Sequence, residues 1–476
     1  VLIAFVLLYL AVTVGIGLWA ARRVHNAKDY VIAGRSLPFA MTTATVFATW
    51  FGAETVLSVS ATFSRDGLNG IVADPFGASF CLVFVALFFA RAFYRMDLLT
   101  IGDFYRKRYS KPVEIVTSVA ITASYLGWTS AQLTALGLVF SVLSGGAIDL
   151  TTGIMIGTAI VLGYTIWGGM WSVAMTDMFQ SVVILAGLCA IAWLVSDMAG
   201  GTGKVVAAAF EAGRFEFWPK GGAKDWLWFA AAWMTLAVGS IPQQDVFQRV
   251  TSAKNEKTAV RATLSGAAIY FCFAFVPMFI AYSALVIDPS MAQLFKADDE
   301  REIQRILPDL ILERTPLWAQ VVFFGALLSA ILSTASGALI APTSLATENI
   351  VRPFFRNMSD RQFLLLLRVV LVTFSLAALL FALNSKSTMY QMVQNAYKVT
   401  LVSCLVPLAA GIYWRRANTA GATLSVALGL GAWIAAEFVA PEATVPPQLV
   451  GLAASLFGMV MGTYAARVPA PRARHG

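Results

Sequence analysis

The side chains able to do chemistry in this sequence are few, and they lie inside apolar runs. Ser333 and Thr334 are adjacent hydroxyls within Ser329-Ala330-Ile331-Leu332-Ser333-Thr334-Ala335-Ser336-Gly337, and Ser336 follows three residues after Ser333 on the same helical face. A hard monovalent cation stripped of water needs several neutral or anionic oxygens. Paired hydroxyls supply them together with carbonyls freed where a helix unwinds. Small hydroxyl residues also line close helix contacts, so packing is the competing reading. Two stretches invite unwinding. Ala48-Thr49-Trp50-Phe51-Gly52-Ala53-Glu54-Thr55 sets a glycine and a carboxylate inside an apolar run, and Gly239-Ser240-Ile241-Pro242-Gln243-Gln244-Asp245 carries a proline that removes a backbone donor. Either break alone reads equally well as an ordinary kink. Lying in the second and seventh apolar segments, five apart, they fit matched halves of an inverted repeat, whose unwound midpoints build a substrate site.

The charged and aromatic residues at depth narrow the chemistry. Glu54 sits well inside its run, and Asp177 lies about one turn beyond the apparent turn Gly168-Gly169-Met170-Trp171-Ser172. Carboxylates at membrane depth are costly and mark ion or proton paths, although Asp177, being near the edge, also reads as a helix anchor. Lys398 lies roughly nine residues into its segment and must snorkel, pair with an acid or meet a substrate carboxylate. Trp50 and Trp128 read as core aromatics or as walls around a cationic group. His25 and His475, the only histidines, stand beside basic residues, so the usual general base is missing from the apolar body.

These residues need elements to position them, and composition says which kind. Of the 476 residues 58% are hydrophobic and 13% charged, with a mean hydropathy of +0.73. A soluble domain carries about 25% charge. That balance excludes a cytosolic enzyme, a disordered chain and a disulfide scaffold, and predicts an all-α integral membrane protein. Thirteen apolar segments are expected, starting near residues 1, 38, 73, 113, 150, 173, 226, 262, 316, 363, 389, 418 and 447. The net charge of +8 sits in short clusters between them rather than in a basic domain, which argues against nucleic acid. With the N-terminus outside, 23 of the 34 Lys and Arg fall on the cytoplasmic side, Arg249, Arg356, Arg467, Arg472 and Arg474 among them. The predicted location is the plasma (inner) membrane, with the C-terminus cytoplasmic. Loops near 198–225 and 288–314 are expected to fold as short surface helices. Cys81, Cys189, Cys272 and Cys404 read as buried thiols without CxxC spacing.

Five stretches carry a resemblance: Gly34 to Phe39 (GRSLPF), Leu98 to Tyr109 (LLTIGDFYRKRY), Tyr164 to Gln180 (YTIWGGMWSVAMTDMFQ), Phe247 to Ala259 (FQRVTSAKNEKTA) and Ala326 to Leu339 (ALLSAILSTASGAL). On these the chain resembles the sodium:solute symporters, in the expected order along most of its length. The resemblance implies a leucine-transporter-like five-plus-five core over residues 38–416, preceded by a first helix and loop (1–37) and followed by two peripheral helices and a basic tail (417–476). It implies a sodium site formed by the carbonyls of Ala48, Phe51 and Ala330 and the hydroxyls of Ser333 and Thr334. A second cation site or exit path matches Asp177, Ser333 and Ser336, while Gly337 stands where some members carry another hydroxyl.

Within that family ATW at Ala48 to Trp50, Trp128 of LGWTSAQL and Ile241-Pro242 most resemble high-affinity choline transporters, whose aromatic cage would match Trp50 and Trp128. Ala78 and Gln243 occupy positions where further aromatics are expected, so the cage reads as incomplete. The expected substrate side chains are therefore Trp50, Glu54, Asp74, Trp128, Gln243 and Lys398, suited to a zwitterionic or anionic metabolite, with choline or betaine as the alternative. The expected partners are sodium, a small solute and the bilayer, with no organic cofactor. A sensor, a channel and a proton-coupled carrier are the rival readings.

Overall fold

The computed structural model describes residues 2–355 and 358–466. Arg356, Arg467, Arg472, Arg474 and His475, on which part of the charge reading and the basic tail rest, lie outside the described residues. Nearly every described segment is helical. The main elements are α1 (Leu2–Ala21), α2 (Phe39–Trp50), α3 (Glu54–Asp66), α4 (Leu68–Met96), α5 (Ile101–Arg108) and α6 (Lys111–Leu143). They continue with α7 (Leu150–Met198), α8 (Thr202–Glu211), α9 (Ala223–Ala237), α10 (Gln244–Ser252), α11 (Glu256–Ile287) and α12 (Leu317–Phe354). The last are α13 (Asp360–Asn384), α14 (Met389–Ser403), α15 (Leu405–Tyr413), α16 (Thr419–Val439) and α17 (Pro447–Ala465).

Side-chain caps start several helices where the chain leaves a loop. Thr100 and Asp103 form a reciprocal capping box on α5, as do Ser359 with Gln362 on α13 and Thr388 with Gln391 on α14. Asn255 and Asn418 cap α11 and α16.

Among the described residues nine helices are long and apolar enough to cross a membrane, or eleven if two bent pairs each count as one span. The expected segments near 150 and 226 are the two that fall short. Leu150–Gly163 is apolar but short, and its helix runs on through Gly169, whose φ of 50° breaks the regular geometry. A side chain at Gly169 would meet the Tyr30 carbonyl at 2.5 Å, so glycine is required for that approach. The segment near 226 divides into α9 and α10 around six non-helical residues. The two surface loops do fold as expected, with α8 in the first and the helical turns Pro289–Lys296, Glu300–Arg305 and Ile306–Arg314 in the second.

The core forms where α12, buried almost throughout its middle, packs along α7, α6 and α2. α14 lies against α6, α11 against α2, and α16 and α17 form a hairpin at the edge. Cys189 and Cys272 correct the sequence reading: only Cys81 and Cys404 are buried, and the other two face outward from apolar helices. Lipid covers an outward face as well as protein does, so hydrophobic surroundings in the sequence do not imply a protein core.

Candidate functional site

Both expected breaks are present at the centre of this packing. α2 ends at Trp50, Phe51 takes φ −88° and ψ 73°, and α3 leaves at 53° to α2. Unwinding orphans backbone groups, which must find partners inside the protein. The Ala53 N–H donates to Gln132 Oε1 at 3.1 Å. At the second break the Thr400 hydroxyl donates to the Gly239 carbonyl at 2.7 Å. Gly239 has no room for a side chain, because a Cβ would lie 2.3 Å from the Thr235 carbonyl and 2.9 Å from that of Tyr397.

The hydroxyls of α12 meet the end of α2. The Ala48 carbonyl accepts from Ser333 Oγ at 3.0 Å and Thr334 Oγ1 at 3.1 Å. Ser333 also reaches Asp177 Oδ1 at 2.6 Å, and Thr45 donates to Asp177 Oδ2 at 2.5 Å. Asp177 is wholly buried, so it is not a helix anchor at a wet edge. Phe51 and Ala330 are wholly buried within a turn of Ala48 and Ser333. Ser336 donates to the Ser333 carbonyl at 2.9 Å. A carbonyl, two hydroxyls and a carboxylate thus converge in the buried interior, a donor set that suits a hard monovalent cation. Among the described residues no group of three or more His, Cys, Asp or Glu gathers to hold a metal ion.

Beside it lies a second cluster. Glu54 is buried and accepts from Gln132 Nε2 at 2.5 Å and Trp128 Nε1 at 3.2 Å. Asp74, also buried, accepts from the Tyr270 hydroxyl and from Thr55 Oγ1, the latter at 3.2 Å. Trp50 lies nearly parallel to Tyr397, centroids 6.4 Å apart, and edge-on to Tyr270 at 6.5 Å. Trp128 is tilted by 50° against Tyr397, centroids 6.2 Å apart. Four rings are therefore linked by mutual contacts beside the unwound stretch, and two of them, Tyr270 and Tyr397, were not anticipated. Gln243 spans the second break, donating to Ser124 Oγ at 3.0 Å and Thr400 Oγ1 at 3.3 Å.

Lys398 does not join this cluster. It is half-buried and faces Glu437 on α16, Nζ to Oε1 at 3.7 Å. The acid that faces Lys398 in this structure is thus supplied by the protein, one of the three outcomes expected for an ammonium at that depth. Arg249 is corrected. It was assigned to a cytoplasmic loop, yet α10 carries it into the interior, 3% exposed, with Nε bonded to Thr49 Oγ1 at 2.9 Å. Gln132 was legible in principle, being four residues after Trp128 and so on its face. The tyrosines offered no such signal.

The profile of the sodium:solute symporter family matches residues 30–429. The chain belongs to the sodium:solute symporter family. This symporter is 27% identical over 453 residues to high-affinity choline transporter 1 of Caenorhabditis elegans, covering 90% of this chain and 76% of that one. It is 26% identical over 452 residues to high affinity choline transporter 1 of Homo sapiens, covering 90% and 75%. Its fold matches a solved Na+-coupled sialic acid symporter with a TM-score of 0.82 at 18% identity, covering 98% of each chain. It is a multi-pass membrane transporter rather than an enzyme.

Proposed function

We propose that this symporter couples inward sodium movement to uptake of a small solute headed by an ammonium group, the alternating-access cycle running on a five-plus-five inverted-repeat core. Ala48, Phe51, Ala330, Ser333 and Thr334 hold the ion, with Asp177 as its anionic neighbour. The observation that carries the substrate reading is the electrostatic make-up of the second cluster: four aromatic rings and the carboxyl groups of Glu54 and Asp74, with Lys398 turned away. Ring faces and carboxylates attract alkylated ammonium groups and repel anions. Tyr270 and Tyr397 supply walls that Ala78 and Gln243 lack. This reading takes the alternative, choline, a betaine or a related ammonium, over the zwitterionic or anionic metabolite expected from the sequence, and the choline-transporter relatives support that choice.

Sodium at the joint of α2 and α12 ties the unwound helix to its neighbours and so favours the state that receives solute; coupling requires that differential binding. At 100 mV one sodium supplies about 2.3 kcal/mol, roughly a fiftyfold accumulation of a neutral solute. The layout proposed with it has thirteen spans, an outside N-terminus and a cytoplasmic C-terminus in the plasma membrane. A thermal-shift screen of purified protein against choline, betaine, amino acids and monocarboxylates, with sodium or potassium, tests the reading. Stabilisation by ammonium solutes in sodium supports it, and stabilisation by monocarboxylates alone overturns it.

A further inference from the structure

Arg249 is the one buried Lys or Arg among the described residues. A buried guanidinium is costly unless ion-paired or fully hydrogen-bonded, and among the described residues this one is neither. Its Nε donates to Thr49 Oγ1 at 2.9 Å, its Nη1 is 3.5 Å from Gln248 Oε1, and its Nη2 has no hydrogen-bond partner. That free Nη2 is pressed against bare backbone of α12, where a Cβ on Gly337 would come within 2.5 Å of it. Gly337 is one turn beyond Ser333. The guanidinium has therefore entered the helix face that carries the ion cluster, through a gap that only glycine leaves.

One turn back along the same face of α2 lies the opposite charge. Thr49 donates its own proton to the Thr45 carbonyl at 2.6 Å, so its oxygen is free to accept from Arg249. Thr45 in turn donates to Asp177. Asp177 thus faces two neutral hydroxyls and, among the described residues, no cation within ion-pair distance, while Arg249 has neutral acceptors and an N–H with no partner among those residues. Asp245, one turn before Arg249 on α10, is a further buried carboxyl group; its Oδ1 accepts from the Tyr125 hydroxyl, and its Oδ2 has no partner among the described residues.

We propose that Arg249 is a resident counter-charge for Asp177 that competes electrostatically with the transported sodium ion. This rests on the sodium-coupled reading above. When sodium occupies the cluster, the ion balances Asp177 and Arg249 is a repulsive neighbour. When sodium leaves, Arg249 keeps the carboxylate from standing alone in a low-dielectric interior, and the empty carrier can return. Arg249 is a positioning residue: it sets how tightly the ion is held and how readily the unloaded protein resets, without contacting the ion.

The test pairs ion binding with two transport modes. Sodium is titrated into purified wild type, Arg249→Gln, Arg249→Lys and Gly337→Ala at constant ionic strength with potassium, and the stabilisation is read without solute. Arg249→Gln is expected to bind sodium about tenfold more tightly, a change of about 1.4 kcal/mol. Arg249→Lys keeps the charge and stays near wild type. Gly337→Ala adds no oxygen but displaces the guanidinium, and it shifts affinity in the same direction as Arg249→Gln, which keeps the idea testable if that variant fails to fold. In proteoliposomes Arg249→Gln slows net sodium-driven uptake while sparing exchange with sodium and choline on both sides, since exchange skips the empty return. Unchanged or weaker sodium binding in folded Arg249→Gln or Gly337→Ala overturns the counter-charge. A wild type that responds equally to sodium and potassium overturns the coupling reading beneath it instead.

Discussion

Gly52 is the point at which one methyl group should disturb both clusters at once. Its backbone lies between them: a Cβ built there would stand 2.4 Å from Glu54 Oε2 and 2.9 Å from Thr334 Oγ1. Both neighbours are side-chain ends, but neither is free to move. Glu54 is held by Gln132 and Trp128, and Thr334 by the Ala48 carbonyl. Restoring ordinary contact pushes the carboxylate away from Gln132 and the hydroxyl away from Ala48. A hydrogen bond to a charged group contributes about 1.5–3 kcal/mol and a neutral one about 1 kcal/mol. Gly52→Ala should therefore lose about 3 kcal/mol of local organisation, more than a hundredfold if expressed wholly in affinity. Initial rates in proteoliposomes, measured against solute at saturating sodium and against sodium at saturating solute, separate the two effects. Both half-saturation concentrations should rise at least tenfold, as a loss of ~1.4 kcal/mol from each would require. If the folded variant keeps both values within about twofold of wild type, a difference of only ~0.4 kcal/mol, the two clusters are not organised around Gly52 as described.

Other expectations follow from the same geometry. Ser333→Ala combined with Thr334→Ala removes two oxygens from the proposed ion site and should raise the sodium concentration for half-maximal uptake about tenfold; unchanged sodium dependence removes those hydroxyls from that proposal. Lys398→Gln should leave solute selectivity unaltered, because its partner is Glu437; selective loss of carboxylate-bearing solutes in competition assays would return Lys398 to the site. At the membrane surface the Asp97 carboxyl is held below the usual range, mainly by its hydrogen bond from Arg35. A depressed carboxyl stabilises the fold above its unfolded value and loses that contribution as pH falls through the folded one. The melting difference between wild type and Asp97→Asn should be small and constant from about pH 5 to 8, and should close below about pH 4. A difference that instead opens on acidification contradicts the sign.

What the sequence made legible was whatever depends on order along the chain. Apolar runs set where most of the helices lie, Gly52 and Pro242 marked both breaks, and the spacing of Ser333 and Thr334 put two hydroxyls side by side on one helix; that they meet α2 where it unwinds came from the family resemblance, not from the spacing. What it could not show was rotation about each helix axis. Tyr397 and Lys398 are neighbours, yet adjacent helical residues diverge by about 100°, so Tyr397 turns to Trp50 while Lys398 turns to Glu437. The same ambiguity hid Tyr270 in an apolar run and left Cys272, two residues later, facing outward. Arg249 was misplaced for a different reason. A basic residue near a helix end ordinarily belongs to a loop, and only the gap at Gly337, eighty-eight positions away, gives its guanidinium somewhere to go.

The central claim is that a sodium gradient drives accumulation of an ammonium-bearing solute. The most direct measurement is uptake of radiolabelled choline or betaine into proteoliposomes at fixed pH under an inward sodium gradient, with potassium or a proton gradient replacing sodium in parallel vesicles. The account predicts transient accumulation of at least one of these solutes above its external concentration with sodium alone, inhibited by other alkylated ammonium compounds and not by monocarboxylates. Accumulation driven equally by a proton gradient, or driven by sodium only for monocarboxylates, would contradict it.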